Sequence, residues 1–193
     1  MDTYSPSWLS FEFGIKIEFC PQNVDVSVAP PNKEDVYMHP QVLALGLRLS
    51  MMKFVRSVLI FYRIAPSQLS AVAWHTVIGF EALRDLYALE ACLCEVFNTT
   101  YSLRKTTYNA RYFAPQSGVE KIIVNMVTND HGMRDTVVRV TGPCDVESEG
   151  ERGAVPVIWN LDSGPHGGIL PTTDIKVKLR KLVAIDFNCR NWS

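Results

Sequence analysis

Cysteine is scarce in this sequence and poorly spaced for structural work. There are five, Cys20, Cys92, Cys94, Cys144 and Cys189, an odd number whose one close pair has Cys-x-Cys spacing. A disulfide framework or a closed zinc site calls for an even set or C-x-x-C pairs. The thiols therefore read as reduced and mostly buried, in an intracellular chain, nuclear or cytoplasmic. Long apolar runs are also lacking: the greasiest stretch, "FVRSVLIFYRIA", is short and broken by Arg56 and Arg63, which argues against a membrane span. "MDTYSPSWLSFEFG" has neither the basic n-region nor the continuous apolar h-region of a secretory leader. No sign of charge dominates. With 19 Lys+Arg against 20 Asp+Glu the net charge is −1, so no overall field draws the chain to nucleic acid or to an anionic membrane.

Recognisable reactive motifs are missing as well. The four histidines, His39, His75, His131 and His166, are far apart and none stands in a ligand spacing such as H-E-x-x-H. No cluster of Cys and His matches a zinc knuckle. "GPHGG" at 164–168 lacks the P-loop pattern and leads into "ILPTT" rather than a helix, so it reads as a turn. No nucleophile motif of a serine hydrolase or cysteine protease is present. A polynucleotidyl transferase needs carboxylates converging on metal ions. Asp85, Glu95, Asp130 and Asp135 are acids of the right type, but nothing in their spacing brings three together. No catalytic residue, metal ligand or cofactor is expected.

What is present is an ordinary globular composition, 47% hydrophobic and 20% charged over 193 residues, enough for one medium domain or two small ones. Residues 1–36 read as a tail, with alternation in "FEFGIKIEF" (Phe11, Phe13, Ile15, Ile17, Phe19) that suits one half-buried strand, before the breaker "VAPPNKED". From Ser50, positioned as N-cap, an amphipathic helix follows: Met51, Phe54, Val55, Val58, Leu59 and Tyr62 recur at three- and four-residue steps, with Lys53, Arg56, Ser57 and Arg63 opposite.

The stretch "APSQLSAVAW" (65–74) then acts as a stop, a corner and a start. Pro66 ends the first helix at Ala65, and Ser67 and Ser70 are placed to accept the free N–H groups of a second helix over about Ala71–Tyr87. Val72, Thr76, Phe80, Leu83 and Tyr87 share one face of that helix. Trp74 and Ile78 form a separate apolar strip, bordered by Glu81 and Asp85, that suits either a second packing neighbour or an exposed interaction surface.

A third short helix, "EACLCEVFN", precedes a change of period. "TYSLR", "ARYFA", "EKIIVNMV", "DTVVRVTG" and "VPVIWN" read as short strands between turn compositions. "LPTTDIKVKLRKLVAID" reads as a C-terminal helix capped by Thr173. The fold class is therefore α+β: an N-terminal helical hairpin or small bundle, then a short-stranded antiparallel sheet, then a C-terminal helix. Two clusters could contact nucleic acid weakly. One is Arg104 and Lys105, interleaved with Tyr101, Tyr108 and Tyr112; the other is Lys176, Lys178, Arg180 and Lys181.

The segment "LGLRLSMMKFVRSVLIFYRIAPSQLSAVAWHTVIGFEAL" resembles the start of the plant gypsy-type transposase domain family. Leu49, Phe54, Ala65 to Leu69, Trp74, Phe80 and Glu81 stand at its motif positions. Ser50 departs from the family's usual Pro, Met133 from a common Trp, and Ser70-Ala71 from a frequent His-Pro. The resemblance extends over 37–143, leaving 144–193 as loop, strand and basic helix. It implies a retrotransposon-derived, gag-like origin and transfers no catalytic residue. The expected function is non-catalytic, in self-association, in assembly with another element-encoded protein, or in weak nucleic-acid contact, with no membrane role. The alternatives are a transposase or nuclease with a metal-bound carboxylate site, and a domesticated protein-interaction module.

Overall fold

The computed structural model describes residues 14–32, 35–49, 51–86, 93–117, 123, 136–142 and 155–162. Two strands come first, β1 (Lys16–Phe19) and β2 (Asp35–Met38), then helices α1 (Gln41–Ala44), α2 (Lys53–Tyr62), α3 (Ala71–Leu86) and α4 (Leu93–Thr100). Strands β3 (Tyr101–Lys105), β4 (Arg111–Pro115) and β5 (Val138–Thr141) follow. The mixture of helices and antiparallel sheet agrees with the α+β class, but the order differs from a helical front half and a β back half. β1 and β2 flank β5 in one three-stranded sheet, both antiparallel to it, so the first two strands and the last strand share a sheet.

That sheet is held by its side chains. Val138 and Val140 of β5 are buried; Val140 lies opposite Ile17 and Val36. Between them Arg139 faces Glu18 of β1, and their 2.5 Å ion pair is extended by Lys16 on Glu18. Arg139 also lies 3.6 Å from the buried carboxylate of Asp35. Gly142 closes β5 at φ +118°, where a Cβ would meet the carbonyl oxygen of Gly14 at 2.9 Å.

Helix α2 buries the stripe its period specifies: Met51, just ahead of the helix, then Phe54, Val55, Val58, Leu59 and Tyr62. Its start differs from expectation. The N-cap is Met52, which offers no side-chain oxygen, so packing of Met51 and Phe54 rather than a serine cap sets where the helix begins; Ser50 lies outside the described residues. Arg56, expected on the polar side, is buried. The helix ends three residues before Ala65. Arg63 takes the left-handed conformation (φ 55°), with Arg63 N–H donating to Ile60 and Ile64 N–H donating to Leu59, a Schellman closure.

Beyond the corner, α3 brings Phe80 onto Phe54 (ring centroids 5.4 Å apart), and α4 adds Phe97 edge-on to both. Tyr62, Tyr101 and Phe113 complete this aromatic core, each ring within 6.5 Å of another member. Burial pushes the Tyr62 phenol well above the usual tyrosine range, and its O–H donates to Asn98 Oδ1 at 2.9 Å. β3 and β4 form a hairpin running from Tyr101↔Pro115 to Lys105↔Arg111.

Several expectations are corrected here. Trp74 is 0% exposed and Ile78 is nearly covered, so the second apolar strip of α3 is core and not a free surface. The corner and the turn after α1 cover it. "VPVIWN" is not a strand; among the described residues its one backbone–backbone bond to a distant segment is Trp159 N–H on the carbonyl of Ser27. Most of "EKIIVNMV", the cysteines Cys92, Cys144 and Cys189, and the basic C-terminal helix with its Thr173 cap lie outside the described residues. Of the described cysteines, Cys20 is half-buried and Cys94 buried, and the two form no disulfide among the described residues. Among the described residues no helix is long and apolar enough to cross a membrane.

Candidate functional site: the Pro-Ser-Gln corner and its cleft

Between α2 and α3, residues Pro66–Gln68 make one short 3-10 turn, all three buried. Pro66 fits its first position because the missing N–H would have had no partner there. The two polar side chains of this turn each meet a distant segment. Gln68 donates from Nε2 to the carbonyl of Asn160 (2.9 Å) and accepts from the N–H of Asn160 (3.2 Å), imitating a strand pairing with a side chain. Ser67 donates to the carbonyl of Val26 (3.2 Å) and accepts from the indole N–H of Trp159 (2.9 Å). Trp74 turns its indole N–H back to the carbonyl of Pro66 at 3.3 Å.

Ser67 is therefore not a helix cap. Ser70 is, since its Oγ accepts from the N–H of Ala73 at 3.2 Å. Arg111 completes the corner: its carbonyl takes the N–H of Ser70, and its guanidinium donates to the carbonyls of Asn160 (3.1 Å) and Leu161. The segments 24–28 and 155–162 are thus fastened onto one buried turn.

A cleft of about 200 Å³ opens beside it. Its walls include Ser67, Leu69 and Ser70 from the corner, His39, Trp159, and Tyr108 from the tip of the β3–β4 hairpin. Nδ1 of His39 lies 3.3 Å from the carbonyl of Thr136. Tyr108 is 67% exposed.

Of the basic-aromatic cluster read from the sequence, Arg104 and Lys105 are exposed on β3. Arg104 lies directly opposite Tyr112 on the outer face of the hairpin. Tyr101 leaves the cluster, being fully buried in the core with its hydroxyl accepting from the N–H of Ile123. Lys176, Lys178, Arg180 and Lys181 lie outside the described residues.

A second depression, of about 290 Å³, lies along α3 between Ile78, His75, Met52 and Arg48. Glu81 lines it although its side chain is almost wholly buried. One carboxylate oxygen pairs with Arg84 at 2.9 Å, while Oε2 has no hydrogen-bond partner. Burial raises the Glu81 carboxyl to about 7; the Arg84 charge opposes this and Asp85 adds to it. Asp85 is exposed and pairs with Arg84, and Glu95 is half-buried on α4. Among the described residues no three His, Cys, Asp or Glu side chains gather as a metal site would require; Asp130 and Asp135 are outside them.

Residues 36–105 match the family model described as "Putative gypsy type transposon". That gypsy-type segment contains the motif positions from Leu49 to Glu81, while Met133 lies beyond it. It stops at Lys105, short of the 143 to which the resemblance was extended, and so excludes β4 and β5. No curated protein and no solved structure matches the chain. The most specific residues of the gypsy-type segment, Pro66 to Leu69 and Trp74, are all buried in the corner.

Sequence reasoning missed the polar half of this arrangement. Gln68 and Glu81 carried no local signal of burial, and Trp159 and Asn160 lie more than ninety residues from their partners.

Proposed function

We propose that the chain is a non-catalytic module of a retrotransposon-derived, gypsy-type protein that makes a weak, sequence-tolerant contact with nucleic acid. The observation that carries this reading is the exposed end of the β3–β4 hairpin. Arg104 stands there opposite the half-buried Tyr112, Lys105 leaves on the other face of the ladder, and Tyr108 is exposed at the turn. Cations for phosphates beside aromatic rings for bases are what sequence-tolerant binding of single strands uses. The motif residues of the corner support a scaffold rather than a reactive centre, since the side chains of Ser67, Gln68 and Trp74 are spent on internal hydrogen bonds. Self-association through Trp74 and Ile78 forms no part of the reading, because neither is available at the surface.

The test is titration of a labelled oligothymidylate with the full chain at several salt concentrations. Two phosphate contacts from Arg104 and Lys105 give a log–log salt slope of about −1.4, at about −0.7 per contact in single strands. Charge reversal at both positions should remove most of the binding. Affinity that does not change with salt would refute the contact. The run Lys176, Lys178, Arg180 and Lys181 is a second proposed contact; neutralising it should flatten the slope further.

A further inference from the structure

We infer that the cleft under the hairpin tip receives one unstacked base of a single strand, with Lys105 at its mouth for the adjoining phosphate; this rests on the nucleic-acid reading above. Size is the first argument. At about 200 Å³ the cleft falls below the ~300–1,000 Å³ of pockets that hold drug-sized ligands and suits a single heterocycle.

Chemistry is the second argument. Tyr108 and Trp159 supply π-faces from two separate segments, while Ser67, Ser70 and His39, already engaged with Val26, Trp159, Ala73 and Thr136, keep the lining from being wholly apolar. The Trp159 ring is held in place by its N–H on Ser67, so it needs little ordering when a ligand arrives.

Charge is the third. Among the described lining residues there is no Asp or Glu. The nearest carboxylate in sequence, Asp25, is engaged by its own turn, accepting from the N–H and the hydroxyl of Ser27 at 2.9 and 2.6 Å. On the cationic side, Lys105 is the register partner of Arg111 and so shares its face of the hairpin. Arg111 reaches the carbonyls of Asn160 and Leu161, immediately after Trp159. The Lys105 ammonium thus leaves the hairpin on the side where the Trp159 segment runs. A phosphate attached to a base in the cleft would meet the Lys105 cation, with the Asp25 carboxylate between Val24 and Val26 as the opposing charge in the neighbouring turn.

This arrangement demands a free base, because a base within a duplex is stacked on both faces. The chain should therefore prefer single strands to the corresponding duplex.

The experiment compares a labelled oligothymidylate with an oligonucleotide of the same length carrying abasic sites throughout, using the full chain. Tyr108 is exposed at a hairpin tip, so its replacement leaves the core intact. Tyr108→Ala should weaken oligothymidylate binding about five- to hundred-fold, the range spanned by stacking one base. Tyr108→Phe should retain it. The abasic strand should bind weakly to every variant and be indifferent to Tyr108→Ala.

Equal binding of the abasic strand, or oligothymidylate binding unmoved by Tyr108→Ala, overturns the cleft proposal. If Arg104→Glu with Lys105→Glu still abolishes binding in that case, the hairpin contact survives without the cleft. If no strand binds in a salt-dependent way, both readings fall. Uptake of a proline-rich peptide in the cleft, with no oligonucleotide competing for it, also overturns the proposal in favour of a protein partner.

Discussion

The Pro66–Ser70 corner and the Glu81 groove both bury polar side chains that stand at motif positions of the gypsy-type segment, yet they resolve the cost differently. At the corner, Gln68 is fully buried and both ends of its amide are paired with the backbone of Asn160. Glu81 lies about 15 Å along the axis of α3 from its first residue, Ala71, at roughly 1.5 Å per residue. Glu81 has one oxygen on Arg84 and the other on nothing. A buried polar group that is paired contributes about 0.5–1.5 kcal/mol per bond, and one left unpaired costs about 1–3 kcal/mol. The corner is therefore a fastening, and the groove is a place where the fold tolerates a penalty that protonation can relieve.

Four outcomes would break or sharpen that contrast. The largest is expected at Trp74, whose ring fills the space behind the corner. Trp74→Ala should cost about 3–5 kcal/mol in denaturant unfolding, whereas Trp74→Phe, which keeps most of the packing and loses the bond to Pro66, should cost less than half of that. Equal losses would mean the hydrogen bond, not the burial, holds the corner.

Next is Gln68→Ala. It leaves the N–H of Asn160 without its partner, leaves the Asn160 carbonyl to Arg111, and opens a small cavity, so about 2–4 kcal/mol should be lost. Limited proteolysis should then cut within 155–162 before the core opens. An unchanged cleavage pattern would show that this segment is held by Arg111 and the Trp159 bonds to Ser67 and Ser27.

Glu81 should act through pH. Its carboxyl is raised from 4.5 to about 7 in the folded chain, so the native state binds this proton more tightly than the unfolded state does. The corresponding stability is fully present below about 4.5 and is lost as pH rises through about 7. Glu81→Gln should remove that slope and, at about pH 8, raise stability by on the order of 1 kcal/mol. A slope that persists in the variant would assign it to other groups.

The smallest effect is expected at Arg63. Its left-handed conformation costs an L-residue roughly 1 kcal/mol that glycine avoids. Arg63→Gly should therefore be neutral or stabilising by up to about that amount, reduced by the entropy glycine adds to the unfolded chain. A clear loss would mean that the Arg63 side chain itself contributes.

Helices α2 and α3 were legible because amphipathic period and proline chemistry act over a few residues. The stripe from Met51 to Tyr62 lies where its spacing puts it, and the chain turns at Pro66. The Tyr101–Lys105 and Arg111–Pro115 strands were legible for the same reason, with turn residues between them. The three-stranded sheet was not, since Lys16–Phe19 finds its partner at Val138–Thr141, more than a hundred residues away. Nor was the burial of Trp74 and Glu81. A helical period says which residues share a side but not whether a second neighbour covers it. "VPVIWN" misled in the opposite direction: its β-branched composition suits a strand, but the N–H of Asn160 goes to the Gln68 side chain rather than to a neighbouring strand.

Of the candidate site, the sequence alone determined the exposed cations Arg104 and Lys105 and the proline corner, features set by local chemistry. Only the tertiary structure decided that Tyr101 belongs to the core, that Tyr108 joins Trp159 around a cleft, and that Gln68 is paired while Glu81 is half-paired. The reason is physical: whether a polar or aromatic group is buried, and what it bonds, depends on segments that approach it through space, and no local pattern of residues encodes their arrival.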